Sequence, residues 1–410
     1  MSEVAFGRTV RLATERSTIR SEFRIGLEAV EKATGRLSFD PDVQYDGDGI
    51  SFRRGDVLFG KLRPNLRKAW LADTDGDAVG DFHVYRPVPN LMTSRYLAYL
   101  VLSEPFLEPV IASVYGAKMP RADWGEVRNI KVWVPGIDAQ RAIADYLDRE
   151  TAQIDAFIAK NEELITLLTE RRAAVTAQAV TRGIEESAAL KESGFGWLGR
   201  IPEDWEVVRV KFAVRSLPGF AFASGDFVHD SGATRLLRGI NVGVGSISWG
   251  ETVGVDNPPR YVESRYRLNE GDLVLGMDRP VISGGLRVAS VGQGDAGALL
   301  VQRVLRLRGT RVRNDYLEYS LAWGGFAMYI EPDFTGVSVP HMSERQVGNF
   351  TIAFPDLCTQ ARIVEHIQDQ HSAIDTALNA ARRSIELMRE RRAALISAAV
   401  TGKIDVGVAA

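Results

Sequence analysis

Cationic side chains are concentrated in two runs. Residues 53–68 read RRGDVLFGKLRPNLRK and set Arg53, Arg54, Lys61, Arg63, Arg67 and Lys68 against a single acid, Asp56. Residues 301–313 read VQRVLRLRGTRVR, five arginines and no acid. Islands of this kind are what phosphate contact needs. Arginine can also read guanine in the major groove, and asparagine or glutamine adenine. Lys61, Arg63, Asn65 and Arg67 therefore have the chemistry for both tasks. Lys118, Arg238, Arg279, Arg303 and His341 complete the candidate DNA contacts. The competing reading is a solvated strand face with its ordinary lysines and arginines. The repeated Gly-Asp and Arg-Pro pairs also have a structural reading, with Gly55-Asp56 as a turn and Arg63-Pro64 and Arg279-Pro280 as extended exits.

Catalytic constellations do not emerge. Asn257-Pro258-Pro259-Arg260 has arginine where an adenine methyltransferase needs an aromatic ring to stack on a flipped base. Gly243-Val244-Gly245 is a fragment of a cofactor loop at most, and no Walker A sequence is present. The five histidines are scattered, and Cys358 has no evident base partner. The sequence predicts a chain with no catalytic residue, no metal site and no cofactor of its own.

The elements that must position the cationic runs are set by an internal repeat. Residues 135–184 align without a gap to residues 355–404 and are identical at 16 of 50 positions. Glu170-Arg171-Arg172-Ala173-Ala174 returns as Glu390-Arg391-Arg392-Ala393-Ala394, and Gln140, Ile143, Ile154 and Asp155 return as Gln360, Ile363, Ile374 and Asp375. Upstream, Gly55-Asp56 through Arg63-Pro64 answers Gly271-Asp272 through Arg279-Pro280. A repeat this long means two copies of a domain, not a solenoid.

The repeated segments predict helices. Residues 142–181 contain no glycine or proline, and Leu147, Ile154, Leu168 and Val175 with Ile158, Ile165 and Ala179 fall on a heptad, as do Ile367, Ile374, Met388 and Leu395 with Leu378, Ile385 and Ala399. About 40 residues make a rod of roughly 60 Å. If the ends of the second globular segment lie close together, the two helices run antiparallel, and a pseudo-twofold arrangement suited to a split target follows. The globular segments read as short strands, at 56–59, 130–134, 273–275, 301–307 and 351–354, with helices over 94–110 and 315–329. The expected fold class is α+β: two mixed α/β domains separated by two long antiparallel coiled-coil helices. The expected boundaries are 1–135 for the first domain, 136–184 for its helix, 185–199 for a linker, 200–355 for the second domain, 356–404 for its helix and 405–410 for a tail.

Composition is consistent with this plan. The chain has 410 residues, 45% hydrophobic and 25% charged, which is too long for one ordinary core. One cysteine excludes an intrachain disulfide, and neither a signal peptide nor an apolar span is visible, so a cytoplasmic location is expected. The net charge of −3 requires any DNA contact to come from local patches.

The two-copy plan resembles type I restriction–modification specificity subunits over nearly the whole chain. Gly196-Trp197-Leu198-Gly199-Arg200-Ile201-Pro202-Glu203-Asp204-Trp205 resembles the family's lead-in to a target-recognition domain. Gln140 with Ile143, Gln360 with Ile363, the Glu-Arg-Arg-Ala-Ala runs and Thr401-Gly402-Lys403-Ile404 fit as well. The resemblance implies a non-catalytic DNA-binding subunit whose two domains each read half of a bipartite site. It implies spacer helices that bind modification subunits, two of them expected, and a further restriction and translocation subunit. S-adenosylmethionine, ATP and magnesium would belong to those partners. Arg171, Arg172, Arg391 and Arg392 are the candidate partner contacts, with pairing to acids on the facing helix as the alternative. The rival functions are a coiled-coil scaffold without DNA reading and a combined methyltransferase–nuclease. One departure stands out: the first domain lacks the Trp-to-Trp lead-in. Val10-Arg11-Leu12-Ala13 is then the expected counterpart of Val210-Lys211-Phe212-Ala213, with a trimmed first strand or a start upstream of Met1.

Overall fold

The heptad segments fold as the two longest helices, Ile137–Arg182 and Leu357–Val400. Asp356 accepts the backbone N–H groups of Cys358 and Thr359 (2.8 and 3.1 Å) and starts the second helix. Gly183 and Gly402, at φ of 78° and 70°, end the two helices in the left-handed conformation that glycine tolerates best. In this computed structural model the described residues are 3–16, 21–38, 40, 43–114, 119–185, 187–230, 232–334, 340–404 and 406. None of their helices is long and apolar enough to cross a membrane.

The chain divides into two units, residues 1–164 with 380–410 and residues 165–379, so each unit takes part of both long helices. In unit one Asp155 and Glu162 meet Arg392 and Arg389. In unit two Arg172 and Thr176 meet Asp375 and His371. Ascending numbers on one helix face descending numbers on the other, so the pairing is antiparallel.

Unit one contains an antiparallel sheet of Val10–Ala13, Phe82–Pro87, Val57–Gly60 and Ala69–Leu71, in that spatial order. A smaller sheet holds Arg24–Ile25, Gly76–Val79 and Gly49–Phe52. Unit two repeats the plan with Val214–Pro218, Val304–Gly309, Leu273–Gly276 and Val288–Ser290, and with Gly254–Val255, Thr234–Leu237 and Leu299–Leu300. The central strands Val57–Gly60 and Leu273–Gly276 are buried throughout, which is why they read as continuous apolar runs.

The helices expected over 94–110 and 315–329 are each broken in two. Ser94–Leu102 stops at Ser103, whose ψ of 149° is extended, and Glu104–Ala112 restarts with proline in its first turn. Asn314–Ala322 and Gly325–Phe334 are separated by Gly324 at φ 109°.

The duplication extends to single hydrogen bonds. The buried Tyr96 hydroxyl donates to the Trp133 and Val400 carbonyls, and the buried Tyr316 hydroxyl to those of Ala353 and Val180. Gln140 accepts the Thr93 N–H and donates to the Pro135 carbonyl; Gln360 accepts the Arg313 N–H and donates to that of Pro355. These bonds tie each long helix to a globular core.

The expected correspondence of Val10 with Val210 is corrected. Phe6 N–H bonds the Ile130 carbonyl as Val210 N–H bonds that of Phe350, so Phe6 matches Val210 and the strand begun by Val10 matches the one begun by Val214. The first strand is present, since Glu3–Ala5 pairs with Lys131–Trp133 as Glu206–Arg209 pairs with Thr351–Phe354. What unit one lacks, among its described residues, is the hairpin Leu190–Glu192/Arg200–Pro202. That hairpin carries Trp197, whose Nε1 donates to the Thr351 carbonyl at 3.2 Å.

Candidate nucleic-acid interface

The run 53–68 does not form one patch. Its middle is the buried strand Val57–Gly60, which separates its cations by about 13 Å along the chain. Arg53 and Arg54 lie at the strand's start, beside Glu15 and Asp75, where Gly55 at φ 92° makes the turn. Asp56 is buried there and takes a bidentate pair from Arg86 at 2.8 and 3.0 Å; Asp272 takes the same fork from Arg308. Gly55-Asp56 and Gly271-Asp272 are therefore structural corners.

Lys61, Arg63, Asn65, Arg67 and Lys68 follow the other end of the strand. Ala122 N–H bonds the Lys61 carbonyl and Arg63 N–H that of Pro120, a short ladder that holds the segment flat. Lys61 and Arg121 share Asp81, at 3.7 and 2.9 Å. Arg67 pairs with Glu104 at 3.2 Å, while Asn65 is exposed. Lys68 turns inward: its Nζ donates to the Leu27 carbonyl at 2.6 Å, and burial lowers its pKa.

Unit two builds the same corner from different side chains. Met342 N–H bonds the Met277 carbonyl and Arg279 N–H that of Pro340. His341 Nδ1 lies 2.7 Å from Asp278, and the Arg303 guanidinium 2.7 Å from His341 Nε2. Arg238 is tied to the Glu251 carbonyl at 2.6 Å. Sequence reasoning missed Arg287, which occupies the place of Lys68: Gly276 N–H bonds its carbonyl as Gly60 N–H bonds that of Lys68. Its guanidinium gathers the carbonyls of Gly239, Val242 and Asp278, and burial lowers its pKa. A lone arginine between glycine- and valine-rich stretches gives no sequence signal of that role.

The second basic run is also divided, because only Arg306 and Arg308 lie in the strand Val304–Gly309, with Arg303 in the turn before it and Arg311 and Arg313 beyond its end. Arg306 is 8% exposed and bonds the carbonyls of Arg265 and Arg267. Arg308, Arg311 and Arg313 pair with Asp272, Glu206 and Asp315. Arg303, at the strand's leading end, is the member that reaches the corner of Arg279 and His341. Lys118 lies outside the described residues. Asn257, at φ 48°, and Arg260 are exposed at the start of a short helix, Arg260–Tyr266.

The arrangement offers each unit a cationic rim around the exit of its central strand. One rim carries Lys61, Arg63, Asn65 and Arg121; the other carries Arg279, Arg303 and His341. Such a rim can take phosphates and offers donors to base edges.

The four arginines of the repeated helical runs separate into two kinds. Arg171 and Arg391 are exposed. Arg172 pairs with Asp375, and Arg392, 7% exposed, faces Asp155 at 3.3 Å and donates to the Ala33 and Thr34 carbonyls.

No family model matches the chain. It is similar to the type I restriction enzyme MjaVIII specificity subunit of Methanocaldococcus jannaschii, with 29% identity over 322 residues covering 77% of this chain and 72% of that one. It is also similar to the EcoAI specificity subunit of Escherichia coli, with 31% identity over 217 residues, 51% of this chain and 36% of that one. Its fold matches a chain from a structure of a type I R-M system solved to explain complex assembly and conformational transition (TM-score 0.76, 17% identity, 98% of each chain). It also matches the HsdS subunit of Thermoanaerobacter tengcongensis (TM-score 0.58, 16% identity, 98% of this chain and 97% of that one).

Proposed function

Because the chain belongs to the family of type I restriction enzyme specificity subunits, we propose that it reads a bipartite double-stranded DNA target, one half with each unit, and holds modification and restriction subunits on that target. The observation that carries this reading is the duplication itself. One α/β plan is built twice with the same hydrogen bonds, and each copy presents a cationic rim at the exit of its central strand, made of different side chains apart from the equivalent Arg63 and Arg279. A shared scaffold with divergent rims is what reading two different half-sites requires.

In this reading the chain is non-catalytic and acts in the cytoplasm. Methyl transfer with S-adenosylmethionine, and ATP- and magnesium-dependent translocation and cleavage, are carried out by partner subunits. The long helices supply the docking surface. Leu167 and Arg171 are exposed one turn apart, and their repeat-mates Leu387 and Arg391 are exposed in the same way, which favours two modification subunits using equivalent contacts.

The test is methylome sequencing of cells that express the modification subunits with this chain or with a chimaera. Replacing residues 200–355 by those of a relative should change one half of the methylated sequence and leave the other. Simultaneous change of both halves would refute the division of labour. Methylation that did not depend on the chain would return it to a scaffold without a DNA role.

A further inference from the structure

Arg63 and Arg279 occupy the same place in two units that otherwise read differently. Sequence predicts an extended conformation for both, since each precedes a proline. Both are instead left-handed, at φ of 49° and 44°. That conformation is costly for any residue with a Cβ. Each is fixed there by the same devices: its N–H donates at 2.8 Å to a proline carbonyl, Pro120 or Pro340, and the proline that follows it, Pro64 or Pro280, is buried. Among the described residues neither guanidinium has an ion pair or a side-chain hydrogen bond, and both residues are exposed. Their neighbours differ in this respect: Lys61, Arg67, Arg121 and Arg303 all have partners.

Glycine would hold the turn at lower cost. Keeping an unpartnered arginine on left-handed backbone, twice, points to work done by the guanidinium. That work is the same in both copies, whereas the corner around it is not: Leu62 bridges Arg121 beside Arg63, with Asn65 two residues on, while Asp278 bridges His341 beside Arg279, with Arg303 against the His341 ring. A group that discriminated between two different half-sites would not be invariant in type and geometry. The ligand common to both halves of any DNA target is the sugar–phosphate backbone.

Resting on the DNA-reading function above, we propose that Arg63 and Arg279 are a matched pair of phosphate anchors. Each grips one phosphodiester, fixes the register of its unit on the duplex and leaves base choice to the divergent neighbours.

The experiment uses the full chain in complex with its modification subunits and measures binding to target and non-target duplexes over a range of salt. Arg63→Gly and Arg279→Gly remove the guanidinium and suit the left-handed backbone, so melting temperature should hold or rise. Each should weaken binding to target and non-target DNA by the same factor, roughly tenfold. Each should reduce the log–log salt slope by about one. Arg63→Lys should keep the slope. An unchanged slope and affinity in folded glycine variants would overturn the anchor while leaving DNA reading intact. So would a loss confined to target DNA with relaxed base preference in one half-site, which would make the arginine a base reader. If the unmodified complex showed no sequence preference at all, the DNA-reading function would fail and the anchor with it.

Discussion

Asp155 and Arg392 face each other at 3.3 Å across the two long helices of unit one, and their repeat-mates Asp375 and Arg172 form the reciprocal pair in unit two. Each pair takes its acid from one copy of the helix and its base from the other. A charged run repeated on a heptad seam thus has an internal explanation for its second arginine. The copies have diverged in setting. Arg392 is buried and also caps the carbonyls of Ala33 and Thr34, whereas the Arg172 side chain is 41% exposed.

This difference predicts unequal costs. Asp155→Ala leaves Arg392 a buried cation without its acid, and should destabilise unit one by about 3 kcal/mol. Asp375→Ala should cost about 1 kcal/mol or less, because solvent screens the more exposed pair. Hydrogen exchange of residues 31–36, which should rise in the first variant and not in the second, checks the assignment.

The outward arginines carry a separate expectation. Arg171→Glu combined with Leu167→Glu should remove one modification subunit from the complex, and Arg391→Glu with Leu387→Glu the other. Native mass spectrometry counts the partners directly. A full complement in both folded variants would place the docking surface elsewhere.

Asp56 and Asp272 should be essential to stability and neutral in recognition. Asp56→Asn leaves Arg86 with one weaker bond in place of a charged fork, at a cost of about 2 to 3 kcal/mol. Half-site preference of any surviving folded complex should not change. A change in methylated sequence would contradict the placement of Asp56 at the corner opposite the cationic rim.

His83 predicts a pH dependence. It is buried, with Nδ1 3.0 Å from the Tyr85 hydroxyl, and burial, aided by the charge of Lys61, lowers its pKa to about 4. Above pH 6.5 the ring is neutral in both folded and unfolded chains and contributes no slope. As pH falls from 6.5 toward 4, the unfolded chain takes up the proton first, so stability drops, by up to about 3 kcal/mol. His83→Gln should flatten that part of the curve in denaturant titrations of unit one. An unaltered slope would assign it to other groups.

Sequence alone determined the two-copy plan and the two long helices. Heptads that Asn161 and Arg172 interrupt in the first helix, an ungapped repeat and fully apolar central strands can be read along the chain without knowledge of its folding. It also identified Arg63 and Arg279 as equivalent. Tertiary structure decided which cations are available. A run of basic residues crossing a buried strand is sent to opposite ends of that strand, so Arg53 and Arg54 part from Lys61 and Arg63. Burial within the strand Val304–Gly309 turns Arg306 inward, while the turn before that strand, with Arg303 at φ 69°, leaves Arg303 at the rim. Pairing between segments far apart in sequence settled Arg172 with Asp375 and Arg392 with Asp155. Hydrogen bonds that Arg63 and Arg279 donate to the carbonyls of Pro120 and Pro340, remote in the chain, hold both arginines out of the extended conformation that their following prolines favour. Charge can be read from a sequence, but whether a charge is spent on a neighbour or left free for a ligand depends on contacts that only the folded chain makes.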